Sequence, residues 1–95
     1  MSYGTIMIAT LKSPATAQTL LAALRRWEER NVSGYQGSYL LAGDGGDTVV
    51  SCVTFESKAS YLALANDPTQ DDWWTNDIAP LFEGDVKWID GEWVD

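Results

Sequence analysis

Histidine is absent from the chain, and cysteine occurs once, at Cys52. Without histidine there can be no Cys-His pair for nucleophilic catalysis and no zinc site of the usual kind. A lone cysteine has no intramolecular disulfide partner, and its place in a β-rich run makes it a buried strand residue. Cations are scarce as well: six Lys and Arg stand against fourteen Asp and Glu. Phosphate-binding surfaces need clustered Lys and Arg for counterion release, so nucleic acid and anionic membranes are not expected partners. No apolar run reaches the length of a membrane span, and no basic segment followed by an apolar one opens the chain. The expected location is therefore the cytoplasm.

What is present describes one small folded domain. A chain of 95 residues buries only roughly 60–65% of its unfolded surface, so the core is modest, yet a hydrophobic content of 45% excludes disorder. Charge is unevenly placed. Residues 1–66 carry five acids and five bases, whereas residues 67–95 carry nine acids against Lys87 alone. The whole net charge of −8 sits in the last third, where it serves as a solubilising surface.

Residues 67–84 form the stretch around which the chain is organised. Asp67 as N-cap, Pro68 at the first helical position and Gln70 three residues on make an Asp-x-x-Gln capping box. Asp71 and Asp72 follow in the first turn, where the helix dipole favours negative charge. Trp74, Ile78, Leu81 and Phe82 at i, i+4, i+7 and i+8 give one apolar face that needs a sheet beneath it. Trp73 lies off this stripe, at a pocket mouth or against another chain. Pro80 kinks the segment and Gly84 ends it.

Upstream, Tyr3 to Leu11 reads as a strand with Thr5, Met7 and Ala9 on one face and Ile6 and Ile8 on the other. Ser13 caps a helix that begins at Pro14 and ends near Asn31, with Ala17, Leu20, Leu21, Leu24 and Trp27 as its buried stripe. Tyr35 to Ala42 and Thr48 to Phe55 are strands joined by Gly43-Asp44-Gly45-Gly46-Asp47, which is hairpin chemistry. That glycine-rich turn lacks the Gly-Lys-Ser/Thr ending of a phosphate loop and the acid spacing of a calcium loop. Ser57 caps a short helix that Pro68 forces to break and restart. Residues 86–94 form a fourth strand, in which Asp90-Gly91 either bulges or folds a small hairpin.

The order is β-α-β-β-α-β, a ferredoxin-like α+β fold with four antiparallel strands and helices on one face. In the third strand Val49, Ser51, Val53 and Phe55 alternate with Val50 and Cys52, so both faces are largely apolar. The helices can cover only one of them. A second copy is the simplest cover for the other, which implies a homodimer through the sheet face.

Gly34-Tyr35-Gln36-Gly37, Phe55-Glu56-Ser57 with Tyr61 following, and the closing Trp88-Ile89-Asp90-Gly91-Glu92-Trp93 resemble the dimeric α+β-barrel superfamily, nearest to its antibiotic biosynthesis monooxygenase-like group. The resemblance covers most of the chain and speaks for fold more than activity. It implies a barrel of two sheets, with a cavity in each subunit between sheet and helices. Some members are cofactor-independent oxygenases of polycyclic aromatic polyketides, and others degrade haem. The haem-degrading branch uses a first-strand asparagine, a tryptophan and an iron-ligating histidine, where this chain has Met7, Leu64 and a residue near Trp74. The polyketide oxygenases use asparagine, tryptophan, tyrosine and arginine. Tyr39, Tyr61, Asn66, Trp73 and Trp74 offer similar side chains, but none transfers as a catalytic residue.

Three functions stay open: a monooxygenase acting on a small aromatic or polyketide-like substrate without a cofactor, a non-catalytic binder of a small apolar ligand, and a dimeric protein-contact module. The residues expected to line the cavity are Thr5, Met7 and Ala9 on the first strand, with Tyr39, Tyr61 and Trp74. Small Thr5 and Ala9 beside flexible Met7 leave room on that face for an aromatic ligand, and the competing expectation is that Trp27 and Trp74 fill it. With no histidine, the purified protein should carry neither zinc, iron nor haem in stoichiometric amount, as read by elemental analysis and the visible spectrum. A Soret band that survives gel filtration would contradict this.

Overall fold

The computed structural model describes residues 2–13 and 16–94. Strand β1 (Tyr3–Leu11) is followed by α1 (Thr16–Glu28), β2 (Tyr35–Ala42), β3 (Thr48–Phe55), α2 (Lys58–Ala65), α3 (Pro68–Trp73) and β4 (Phe82–Glu92). The four strands form one antiparallel sheet in the order β2-β3-β1-β4, which is the ferredoxin-like arrangement. The first three strands have the limits that apolar alternation predicts. Pro14, where the first helix was expected to begin, lies outside the described residues.

Turn chemistry closes the β2–β3 hairpin as expected. Gly43 N–H donates to Thr48 O at 2.8 Å and Gly46 N–H to Gly43 O at 2.9 Å, with Gly46 at φ 90°. Ser57 caps α2, its side chain accepting from Ser60 N–H. The proline break also holds, since α2 ends at Ala65 and Asp67 caps α3 by accepting from Thr69 N–H.

Beyond Trp73 the expected single helix gives way. Residues Trp74–Ile78 wind as a π turn, in which Ala79 N–H reaches Trp74 O five residues back, and Ala79–Leu81 form a 3-10 turn carrying Pro80. Phe82 therefore opens β4 instead of closing a helix, and the strand begins four residues before its predicted start. Gly84 sits inside the strand at φ 74°, where β4 bulges against Ile8 to Thr10. Asp90 and Gly91 neither bulge nor turn. They pair in regular register with Thr5 and Gly4.

Odd residues of β1 face the helices, and the packing tightens toward one end of that layer. Leu11, Leu20, Val49 and Ile78 are each at most 1% exposed, with Ala9 and Phe82 beside them. On the opposite face, Ile6, Ile8, Val50 and Cys52 are half-buried, while Tyr39 (83%), Leu41 (66%) and Ile89 (51%) stand exposed. Cys52 is thus half-covered on the open face, not buried under the helices. Trp93 folds back over Gly4 on this same face, so close that any Cβ at Gly4 would overlap its ring.

A Cβ at Gly84 would meet nothing, so only the left-handed backbone resists substitution there. Gly84→Ala should cost about 1–2 kcal/mol in chemical denaturation, with an unchanged denaturant slope.

Candidate functional site

Between the helices and the wide end of the sheet lies an apolar cavity of about 160 Å³, partly open to solvent. The sheet supplies a floor in which Thr5 from β1, Ser51 and Val53 from β3 and Ser38 from β2 are short side chains, with the longer Met7 and Phe55 beside them. Register explains the set. Thr5 pairs with Val53 and Met7 with Ser51, and Ser38 lies opposite Val53, so all share one face. Helix α1 contributes Leu20, Leu24 and Trp27. Tyr61 and Leu64 come from α2, Gln70, Trp73 and Trp74 from the restart, and Trp88 from β4.

Ring contacts hold the helix layer off this floor. Trp73 lies 6.0 Å from Trp27, Trp27 4.9 Å from Tyr35, Tyr35 6.1 Å from Phe55 and Phe55 5.4 Å from Tyr61. A second set joins Trp88 to Trp74 at 5.2 Å and Trp74 to Phe82 at 5.9 Å. Offset and edge contacts of this kind add about 0.5–1.5 kcal/mol per pair beyond area burial. Bulky rings resting on one another act as spacers, and the short floor residues do not fill what is left.

Polar groups are few. Thr5 donates to Asp90 Oδ1 at 2.5 Å and Tyr61 OH to Asp90 Oδ2 at 3.2 Å, so one carboxylate on the rim joins two cavity-lining hydroxyls. Burial pushes the Tyr61 phenol above the usual tyrosine value, and the neighbouring Asp90 charge pushes the same way. Tyr35 is raised too, by burial first, against a lowering hydrogen bond from Ser38 at 2.7 Å. Trp27 Nε1 donates to Gln70 Oε1 at 2.8 Å. Among the described residues no group of His, Cys, Asp and Glu is placed to hold a metal ion.

Of the six residues expected here, Thr5, Met7, Tyr61 and Trp74 line the cavity. Tyr39 does not. A register shift between Tyr35 and Gly37 reverses the parity of β2, so Ser38 and Leu40 face the helices while Tyr39 pairs with Cys52 on the open face. Ala9 does not line it either, because it lies in the tightly packed end, 3% exposed. Trp73 belongs to the wall, because Gln70, Trp73 and Trp74 share a helix face at i, i+3 and i+4. Gln70 is the residue that sequence reasoning misplaced. The capping-box pattern assigned its side chain to the helix start, but Asp67 N–H goes to Leu64 O and Gln70 reaches Trp27 instead.

No protein-family model matches the chain, and no curated protein sequence matches it. Solved structures do. A monooxygenase of Streptomyces coelicolor, crystallised with the ligand nanaomycin D, superposes with a TM-score of 0.82 at 20% identity over 99% of this chain and 88% of that one. SnoaB of Streptomyces nogalater, a cofactor-independent oxygenase, gives 0.73 at 14% identity over 93% and 90%. A dimeric ferredoxin-like protein from Jannaschia gives 0.70 at 13% over 95% and 97%. The chain has the same ferredoxin-like fold as these structures.

Because the neutral phenol is favoured in the folded chain, the Tyr61 contribution to stability is complete below about pH 10, the unfolded value, and is lost as pH rises through the folded value. Subtracting the tyrosinate absorbance titration of Tyr61→Phe from that of the parent should show a phenol titrating above that range. Asp90→Asn should bring it down toward the usual value. A Tyr61 titration that ignores Asp90→Asn would separate the two groups.

Proposed function

We propose that this chain, with the fold of antibiotic biosynthesis monooxygenase-like α+β barrels, works as a homodimeric, cofactor-independent monooxygenase on a small aromatic or polyketide-like substrate. The observation that carries the reading is the cavity itself, walled by Trp27, Trp73, Trp74 and Trp88 and edged by the Thr5-Asp90-Tyr61 hydrogen bonds. Such walls favour planar aromatic molecules and remove water from them.

The chemistry asked of the site is small because the substrate supplies the electrons. An acidic ring CH₂, as in an anthrone, loses a proton, and the resulting carbanion reduces O₂ by one electron. The radical pair then forms a C–O bond. The peroxide is reprotonated and loses water to leave a ketone, so one CH₂ and one O₂ become one C=O and one H₂O. Asp90, reached through the Tyr61 hydroxyl, is the carboxylate that accepts the first proton, and the neutral phenol of Tyr61 stands ready to return one.

The open sheet face supports the dimer. Tyr39, Leu41 and Ile89 are exposed on it, and the indole N–H of Trp93 is buried there without a hydrogen-bond partner among the described residues. Interfaces of permanent homodimers commonly bury on the order of 2,000 Å² or more, which a whole sheet face can supply.

One observation favours a non-catalytic binder in the same cavity: its lining contains no Arg and no Asn, the side chains expected from the polyketide oxygenases. Oxygen uptake with an anthrone separates the two. The oxygenase reading expects a rate well above buffer that falls at least tenfold in Tyr61→Phe and Asp90→Asn, whereas a binder quenches tryptophan fluorescence without accelerating uptake. Light scattering should give a dimer for the parent chain and a monomer for Leu41→Asp, whose carboxylate lies far from the cavity; a monomeric parent sinks the assembly.

A further inference from the structure

Gln70 and Ser51 each bring to the cavity a hydrogen-bonding group that no other part of the described protein uses, and these two groups, set among aromatic walls, bear on what an occupant must offer. Trp27 is 5% exposed, so its indole N–H needs a partner and takes Gln70 Oε1. Because an indole nitrogen only donates, this contact fixes the amide orientation: the oxygen is spent on Trp27, and Nε2 keeps two hydrogens to give elsewhere. Gln70 lines the cavity, and its Nε2 has no partner among the described residues. On the floor, Ser51 is 5% exposed, lines the same space, and its hydroxyl likewise has no partner among the described residues.

Solvent can satisfy both groups in the empty site, but a ligand that displaces that water has to replace its hydrogen bonds or lose affinity. A site built around such groups discriminates strongly against analogues that lack the matching atom. The lining holds no Lys, Arg, Asp or Glu, so a charged group pushed inside would be desolvated without a counter-charge. We infer that Gln70 and Ser51 are the specificity-determining residues of the cavity, selecting an uncharged aromatic that carries a carbonyl or phenolic oxygen over a hydrocarbon of the same shape. Trp27 is a positioning residue, since it acts by holding the Gln70 amide in its donating orientation. This rests on the aromatic-ligand reading of the cavity.

The test compares 1-indanone with indane, which share a shape and differ by one carbonyl, using calorimetric titration of the full chain. The parent protein should prefer the ketone by about tenfold, the size of one net hydrogen bond. Gln70→Leu and Ser51→Ala, each checked for folding by its thermal melt, should each shrink that ratio at least threefold. Trp27→Phe should shrink it as well, although Gln70 itself is intact. Equal affinity of the parent for both compounds, or a ratio that survives in either Gln70→Leu or Ser51→Ala, overturns the assignment and leaves the aromatic-ligand reading standing. Failure of the parent to bind either compound overturns both.

Discussion

A sheet that is largely apolar on both faces, with helices over only one of them, is the constraint from which the other features follow. Strand β1 lies inside the sheet, paired with β3 on one side and β4 on the other, and its alternate residues feed both faces. The odd residues meet α1, α2 and the π turn. The even residues Ile6 and Ile8 are only half-covered, by their strand neighbours and, near Ile6, by Trp93. Burial returns roughly 25 cal/mol per Å² of apolar surface, so leaving a whole sheet face in water forgoes a large part of what a small domain has to offset chain entropy. The proposed dimer recovers it.

The cavity follows from how the covered face is built. Close-packed interiors usually leave no void larger than a water molecule, and a cavity lining forfeits its contacts at a cost that grows with volume. Here the packed end of the layer, around Leu11, Leu20, Val49 and Ile78, carries stability, while aromatic side chains at the other end keep the helices away from a floor of Thr5, Ser38 and Ser51. Wide winding at Trp74–Ile78 belongs to the same design. Trp74 and Ile78, at i and i+4, both face inward across the π turn before Pro80 sends the chain into β4.

How far this was legible in the sequence depended on whether a local rule or a long-range one decided each residue. Alternation and turn glycines set the limits of β1, β2 and β3, and caps at Ser57 and Asp67 set the helix starts; all of these are local. Tyr39 was placed on the wrong face because its parity hangs on a one-residue register shift near Gly37, and alternation alone carries no sign of such a shift. Gln70 was hidden by a pattern that fitted it equally well, since an Asp-x-x-Gln spacing says nothing about a tryptophan N–H more than forty residues earlier. The helix-to-strand change at Phe82 was missed because Leu81 and Phe82 continue the helical stripe of Trp74 and Ile78, and only tertiary contact breaks it. Thr5, Met7, Tyr61 and Trp74 were found because a small-residue strand face opposite aromatic helices leaves space whatever the details of register.

The acidic last third also takes on a structural role once β4 is seen as an edge strand. Edge strands expose unpaired backbone groups that can recruit another sheet, and charged side chains are a common defence. Glu83, Asp85, Lys87, Asp90 and Glu92 all lie on β4 and are exposed, four acids to one base. The other edge, β2, has no charged residue from Tyr35 to Ala42. Two copies meeting β4 to β4 would bring eight carboxylates along one seam, a repulsion that salt screens only partly. The proposed face-to-face dimer would avoid that seam and would cover Ile6, Ile8, Tyr39 and Leu41 at the same time, so the charge on β4 and the apolar open face both favour it over β4-to-β4 pairing.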